Sequence, residues 1–337
     1  VIDIPLPDSD AREEALTRLD ALVKPLGALG RLEELAAWLS AAHGMVPPRP
    51  LDDVRVVVFA GDHGVSGVSA YPREITAAMV RVFLAGKSGV NVLARQVGAK
   101  VRVLDIAVDD ELADVPEEVR QYKIRRGSGS IDFTDALEPG EAERAFDAGR
   151  LVANAEIAAG ADLLIPGDMG IGNTTVAAAL VAAVLGVPAE EVVGTGTGVD
   201  EEGRARKVAV VERALARPRG SDPFAVLTAL GSACAAATAG FLVQGAARGV
   251  PVLLDGVFSG AAALVAREIA PDAVHWWLAG HRSTEPSQAY ALKALGLEPI
   301  LDLGLRLGEG SGAVQAVTTL RAAQAIISDM GLLADLA

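Results

Sequence analysis

IPGDMGIGNTT, residues 165–175, is the stretch whose reading decides the fold. ADLLIPG before it reads as a short apolar strand, and VAAALVAAVLG after it reads as an Ala-rich helix ending at Gly186. A strand, a glycine turn and a helix start present backbone amides to an anion, most often a phosphate. Gly167, Gly170 and Gly172 do not make GxGxxG, and no Lys follows in Walker position, so neither common nucleotide fingerprint applies.

Outward from this stretch, short apolar runs recur with glycine-marked loops and helical patterns between them. They are residues 55–60, 100–106, 162–166, 250–255, 273–280 and 299–303. Continuous apolar strands alternating with helices predict an α/β fold, doubly wound, with a mainly parallel Rossmann-like sheet covered on both faces. Long helices are expected from Arg73 to Gln96 and from Asp222 to Gly249. Residues 1–50 form a helical segment that, with the C-terminal helices of 311–337, makes a small domain beside a catalytic domain of 51–310. The polar stretch 109–130 reads as a surface loop or lid.

Composition limits the function. The chain has 337 residues, is 51% hydrophobic and carries a net charge of −14, which argues against nucleic acid or an anionic membrane as partner. Cys234 is the single cysteine, so there is no internal disulfide or multi-cysteine metal site, and it reads as a small packing residue. The four histidines lack paired ligand spacing, so no metal is expected; His63 in GDHG reads as structural, with a loop-orienting role as its alternative. The N-terminus shows no export signal and no apolar run spans a bilayer uninterrupted, giving an expectation of a cytoplasmic protein.

Polar residues collect at strand ends: Asp62 and His63, Asp105, Asp168, Asp255, His281, and Glu309 after the last strand. Ligands of open parallel sheets bind beyond the carboxyl ends of the strands, so these groups converge on one cleft. In GDMGIGNTT, residues Gly170, Ile171, Gly172, Asn173, Thr174 and Thr175 read either as a capped helix start or as a phosphate cradle, and the two are compatible. GTGTGVDEEGRARK, 194–207, is a second glycine-Thr loop; Lys207 is either a phosphate-facing cation or a solvated helix lysine. In LGEGSGA, 307–313, Glu309 sits between two glycines, as a general base or as an early-turn acid favoured by the helix dipole.

Six motifs occur together and in order: KPLGALGRLEELA, GDHGVSGVSAYPREIT, GDMGIGNTT, GTGTGVDEEG, LLDGVFSGAAALVA and LRLGEGSGA. In these the chain, from about Lys24 onward, resembles the nicotinate-nucleotide:dimethylbenzimidazole phosphoribosyltransferases, the CobT family. The resemblance implies a homodimeric enzyme that makes α-ribazole 5′-phosphate from nicotinate mononucleotide and 5,6-dimethylbenzimidazole, with small molecules as its only substrates and no metal or redox cofactor. It implies Glu309 as catalytic base with Asp168 assisting, and phosphate on Gly170–Thr175 with Lys207. It further implies nicotinate and ribose near Gly194–Gly198, including Thr195 and Gly196, and near Asp255, with the base against Tyr71, Met169 and Leu307. Two positions depart from the family pattern: Asp168 stands where Glu is common, and Ser287-Gln288 stands where Gly-His is common. Other acceptors, such as another benzimidazole, a purine or a phenol, stay open. A dinucleotide oxidoreductase is disfavoured by the missing GxGxxG after the first strand. A noncatalytic nucleotide sensor would need a defect in the acid or the loop, and both are intact.

Overall fold

The computed structural model describes residues 2–196 and 198–336. The strands are β1 (Val54–Gly61), β2 (Lys100–Ala107), β3 (Leu163–Met169), β4 (Val252–Leu254), β5 (Trp277–His281) and β6 (Pro299–Leu301). Before β3 come α1 (Ser9–Asp20), α2 (Arg31–His43), α3 (Ile75–Leu84), α4 (Gly89–Val97), α5 (Glu117–Arg120) and α6 (Glu141–Ala158). After it come α7 (Asn173–Leu185), α8 (Ala189–Val192), α9 (Glu201–Ala216), α10 (Pro223–Leu230) and α11 (Ala233–Ala247). The last are α12 (Val257–Ile269), α13 (Pro286–Leu295) and α14 (Ser311–Asp329).

All six apolar runs form strands of one sheet, paired in parallel in the order β2-β1-β3-β4-β5-β6. The chain moves from β1 to one edge and then back across to β3, so the strand order reverses between β1 and β3. That switch point opens a crevice at the carboxyl ends, where ligands of such sheets bind.

Side chains alternate across β1 with the period of two that a strand imposes. Val57 and Phe59 face one core, shared with Phe146, Leu180, Phe241 and Phe258 of the helices. Val54, Val56, Val58 and Ala60 face the other, shared with Leu19, Leu35, Leu39, Leu320 and Ile327. Helices α1 and α2 therefore meet α14 in a cluster that continues onto the sheet. Arg18 Nε also donates to the carbonyl of Ile327 at 2.7 Å. On the first face α6 and α11 approach almost backbone to backbone. A Cβ on Gly149 would lie 1.8 Å from the Ala237 carbonyl oxygen, and one on Gly240 would lie 1.9 Å from that of Phe146.

The two long helices expected from sequence are each broken in two. Ser88 caps α4 by accepting from the Asn91 amide while the Asn91 side chain accepts from the Ser88 amide, a capping box that starts a new helix after α3. Ser232 likewise accepts from the Ala235 amide at 3.1 Å and starts α11 after α10. By length and composition Ile75–Val97 is the one stretch among the described residues apolar enough to cross a membrane; the break at Ser88 divides it. Stretch 109–130 is strapped to the sheet: Lys123 Nζ donates to Asp105 Oδ2 at 2.8 Å and to the Val108 and Asp110 carbonyls, and the Ser128 amide donates to the Asp62 carbonyl.

Because no neighbour can yield at the α6–α11 contact, Gly240→Ala should lower unfolding free energy by about 1–3 kcal/mol or more. Urea unfolding measures this, with Gly67→Ala, where an added Cβ meets nothing within 4 Å, as the control expected to stay near wild type. Equal midpoints for the two variants would show that the helices are not in backbone contact.

Candidate active site

The crevice is built from chain ends that the sheet brings together. Strand β3 delivers Asp168 and Met169, then turns through Gly170–Gly172 into α7. The loop 307–310 crosses directly over β3: a Cβ on Gly167 would lie 2.3 Å from the Glu309 carbonyl oxygen. Only glycine admits that crossing, which places the Glu309 turn beside Asp168.

Glu309 is 4% exposed and has φ of +65°, a left-handed conformation that costs a non-glycine residue about 1–3 kcal/mol. Its Oε2 accepts from the Val90 amide at 3.1 Å, at the N-terminus of α4. Burial raises its pKa; the Val90 and Ser88 donors oppose the rise, and the charge of Asp255 adds to it. Asp168 Oδ2 accepts from Asn173 Nδ2 at 2.6 Å, and Asn173 Oδ1 in turn accepts from the Thr174 amide at 2.9 Å. Burial pushes Asp168 from 3.8 up to about 7; the Asn173 amide opposes this, and the charges of Asp255 and Glu309 support it. The two acids therefore titrate in different ranges from ordinary carboxylates, a mark of chemistry at such a site.

Next to them is a small recess lined by residues of both glycine-Thr loops, including Gly172, Asn173, Thr174, Thr195, Gly196 and Lys207. Lys207, buried, donates from Nζ to Thr174 Oγ1 at 2.8 Å and to the Gly194 carbonyl at 3.2 Å. Burial lowers its pKa, and the nearby Glu285 counteracts this. Glu285 also accepts from the Gly196 amide at 2.6 Å, pinning the second loop. The amides of Ile171, Asn173 and Thr174 are engaged by Thr76 Oγ1, the Gly170 carbonyl and Asn173 Oδ1. The Lys207 ammonium and the Thr174 hydroxyl thus both line the recess, paired with each other. Thr197, within the second loop, lies outside the described residues.

Of the apolar residues, Leu307 lies over the start of α4, where a Cβ on Gly89 would be 2.5 Å from Leu307 Cδ2 and 3.5 Å from Glu309 Oε2. Leu307 is 54% and Tyr71 51% exposed, and Tyr71 follows Ser69 and Ala70, which line the recess. Met169, half-buried, packs on the core beneath the site.

Asp255, expected near the nicotinate and ribose, serves the backbone at the start of α14. Its Oδ2 accepts from the Gly310 amide at 3.0 Å, and its Oδ1 from Gly312 at 2.9 Å and Ala313 at 3.0 Å. Both oxygens are thus occupied by the start of α14. Gln288, one of the departures, is buried and also serves the backbone: Nε2 donates to the His281 carbonyl at 2.8 Å and the Asp255 carbonyl at 3.3 Å, and Oε1 accepts from the Ser283 amide. His63 is buried against the loop, and burial lowers it to about 4, leaving it neutral. Sequence reasoning did not anticipate the Val90 amide or the part of Glu285; the Ser-x-x-Asn capping signal at 88–91 was the available clue to the first. Among the described residues no group of three or more His, Cys, Asp or Glu side chains is arranged to hold a metal ion.

A doubly wound parallel sheet with a polar recess and two perturbed acids at its switch point makes an enzyme-type cleft. A family model described as "Phosphoribosyltransferase" matches residues 4–336. The chain is 56% identical over 333 residues to the nicotinate-nucleotide–dimethylbenzimidazole phosphoribosyltransferase of Mycobacterium avium (strain 104), covering 97% of this chain and 95% of that protein. It is 53% identical over 328 residues to the protein of that name from Mycobacterium tuberculosis (strain ATCC 25618 / H37Rv), covering 96% and 90%. A crystal structure of the enzyme of that name from Thermus thermophilus superposes with a TM-score of 0.92 at 46% identity, covering 98% of each chain. A crystal structure of CobT from the same organism gives 0.93 at 48% identity, covering 97% and 98%. The chain belongs to the nicotinate-nucleotide–dimethylbenzimidazole phosphoribosyltransferase family.

The raised Asp168 has a consequence for stability. Between about pH 4 and about pH 7 the folded protein keeps a proton there that the unfolded chain has released, so this group's contribution is lost as pH rises through that window. In urea melts at several pH values, Asp168→Asn should hold its stability better than wild type from pH 4 to 7. Parallel curves for the two proteins would place Asp168 in an ordinary, ionised environment.

Proposed function

We propose that the chain transfers the 5-phosphoribosyl group of nicotinate mononucleotide to 5,6-dimethylbenzimidazole. The products are α-ribazole 5′-phosphate and nicotinate, in the synthesis of the cobamide lower ligand. The observation that carries the reading is a buried acid in a strained turn, Glu309, set beside a recess whose one buried cation, Lys207, suits a phosphate. The names of the close relatives support these substrates.

The chemistry follows from these groups. The bond from ribose C1 to the pyridinium nitrogen is already weak, because its electron pair leaves onto a neutral ring. One imidazole nitrogen of the acceptor attacks C1 from the opposite face, and the proton on its other nitrogen passes to the Glu309 carboxylate. A raised pKa makes that carboxylate a better base than a free glutamate. Asp168, protonated below about pH 7, assists by orienting the base through a neutral carboxyl. Tyr71, Met169 and Leu307 supply flat apolar walls for the base, while Thr174, Lys207 and the rest of Gly170–Thr175 hold the phosphate. Gly194, Thr195 and Gly196 flank the nicotinate and ribose. Holding both reactants in line supplies much of the acceleration.

The same reading places the enzyme in the cytoplasm as a homodimer, with residues 1–50 and 311–337 forming one small helical unit on the catalytic domain. The first assay mixes the purified protein with nicotinate mononucleotide and 5,6-dimethylbenzimidazole and follows products by mass. Nicotinate plus a dimethylbenzimidazole ribotide is expected; no product with this acceptor but turnover with a purine or phenol would reassign the base. Glu309→Gln should leave nicotinate mononucleotide binding in place and lower turnover by ~10²-fold or more. Turnover within about a factor of three of wild type would remove Glu309 as the base.

A further inference from the structure

Glu309 is held by two separate anchors. Its carboxylate takes the Val90 amide, while its backbone belongs to three successive left-handed residues, with φ of +81° at Gly308, +65° at Glu309 and +92° at Gly310. Directly after them α14 begins, and its own N-cap, Gly310, offers no side chain to the free amides. The cap arrives from β4 instead, as the three hydrogen bonds to Asp255.

Asp255 is itself fixed from all sides. It is 1% exposed; its amide donates to Ser259 Oγ at 2.9 Å, and its carbonyl accepts from Gln288 Nε2. We infer that Asp255 is the positioning residue for Glu309, clamping the Gly308–Gly310 turn so that the acid is presented to the cleft. The inference rests on the reading of Glu309 as the base.

Charge gives the arrangement a second effect. The charged and titratable groups around Glu309 are Asp168 on β3, Asp255 beyond β4 and, 3.5 Å from Asp255 Oδ1, the His281 ring at the end of β5. From α4 only the uncharged Ser88 and the Val90 amide reach it. Three backbone N–H groups at the start of α14 meet the two Asp255 oxygens. Its charge then keeps Glu309 more basic than burial alone would.

Two variants separate reach from charge. Asp255→Asn keeps the shape but removes the charge and one acceptor. Its kcat should fall ~10-fold or more, with the KM for nicotinate mononucleotide within about threefold of wild type. The acid limb of its pH–kcat/KM profile should move to lower pH, because one neighbouring negative charge is gone. Asp255→Glu keeps the charge and misplaces the clamp, so its limb should stay at the wild-type pH while kcat falls.

A purely structural cap would lower kcat in both variants with no movement of the limb, and that result overturns the inference. A rise of more than tenfold in KM for nicotinate mononucleotide, with kcat and limb unchanged, would make Asp255 a substrate contact and overturn it too. If Asp255→Asn does not fold, wild-type kcat in Asp255→Glu is the contradicting result. The parent reading fails separately: it falls if Glu309→Gln turns over like wild type. If that variant is dead while both Asp255 variants match wild type, only the positioning role falls.

Discussion

The backbone of Glu309 crosses β3 at Gly167, so close that a methyl group there would sit 2.3 Å from its carbonyl oxygen. That crossing is the constraint on which the site depends. It brings a loop that follows the last strand onto the central strand β3, and it sets the acid of one glycine-rich motif beside the acid of another. Every later feature of the crevice starts from this approach: the Val90 amide within reach of the Glu309 carboxylate, the cap of α14, and the position of Leu307 over α4.

Three carboxylates gather here in a chain whose net charge is −14, and the structure treats each differently. Asp255 receives three backbone N–H groups, which leave neither of its buried oxygens without a donor. Asp168 receives one side-chain amide and is neutralised by a retained proton up to about pH 7. Glu309 receives a single backbone N–H, and burial raises its pKa. Environment, not residue type, therefore sets these three acids apart. A buried positive charge stands at Lys207, where burial lowers the pKa and Glu285 counteracts it.

Much of this is legible in the sequence because its signals are local. Six apolar runs bounded by glycine became six parallel strands, and their order placed the acids at one edge of the sheet. The acid between glycines at 308–310 was conspicuous in the sequence, and it lies in a left-handed turn, with φ of +65° at Glu309. What stayed hidden is long-range or masked by periodicity. The breaks at Ser88 and Ser232 interrupt runs whose apolar pattern continues on both sides, so only the capping chemistry reveals them. The work of Asp255 is invisible because its partners lie more than fifty residues away. Gln288 looked like a loss at the site, yet its three hydrogen bonds fix the ends of β4 and β5.

The most direct measurement is a crystal structure of the protein with nicotinate mononucleotide bound. Phosphate oxygens are expected within about 3 Å of Lys207 Nζ and Thr174 Oγ1, with the ribose C1 open on the side of Glu309 to an in-line attack. A phosphate bound away from the α7 N-terminus, or a C1 turned from Glu309, would contradict the assignment of this crevice as the site of transfer.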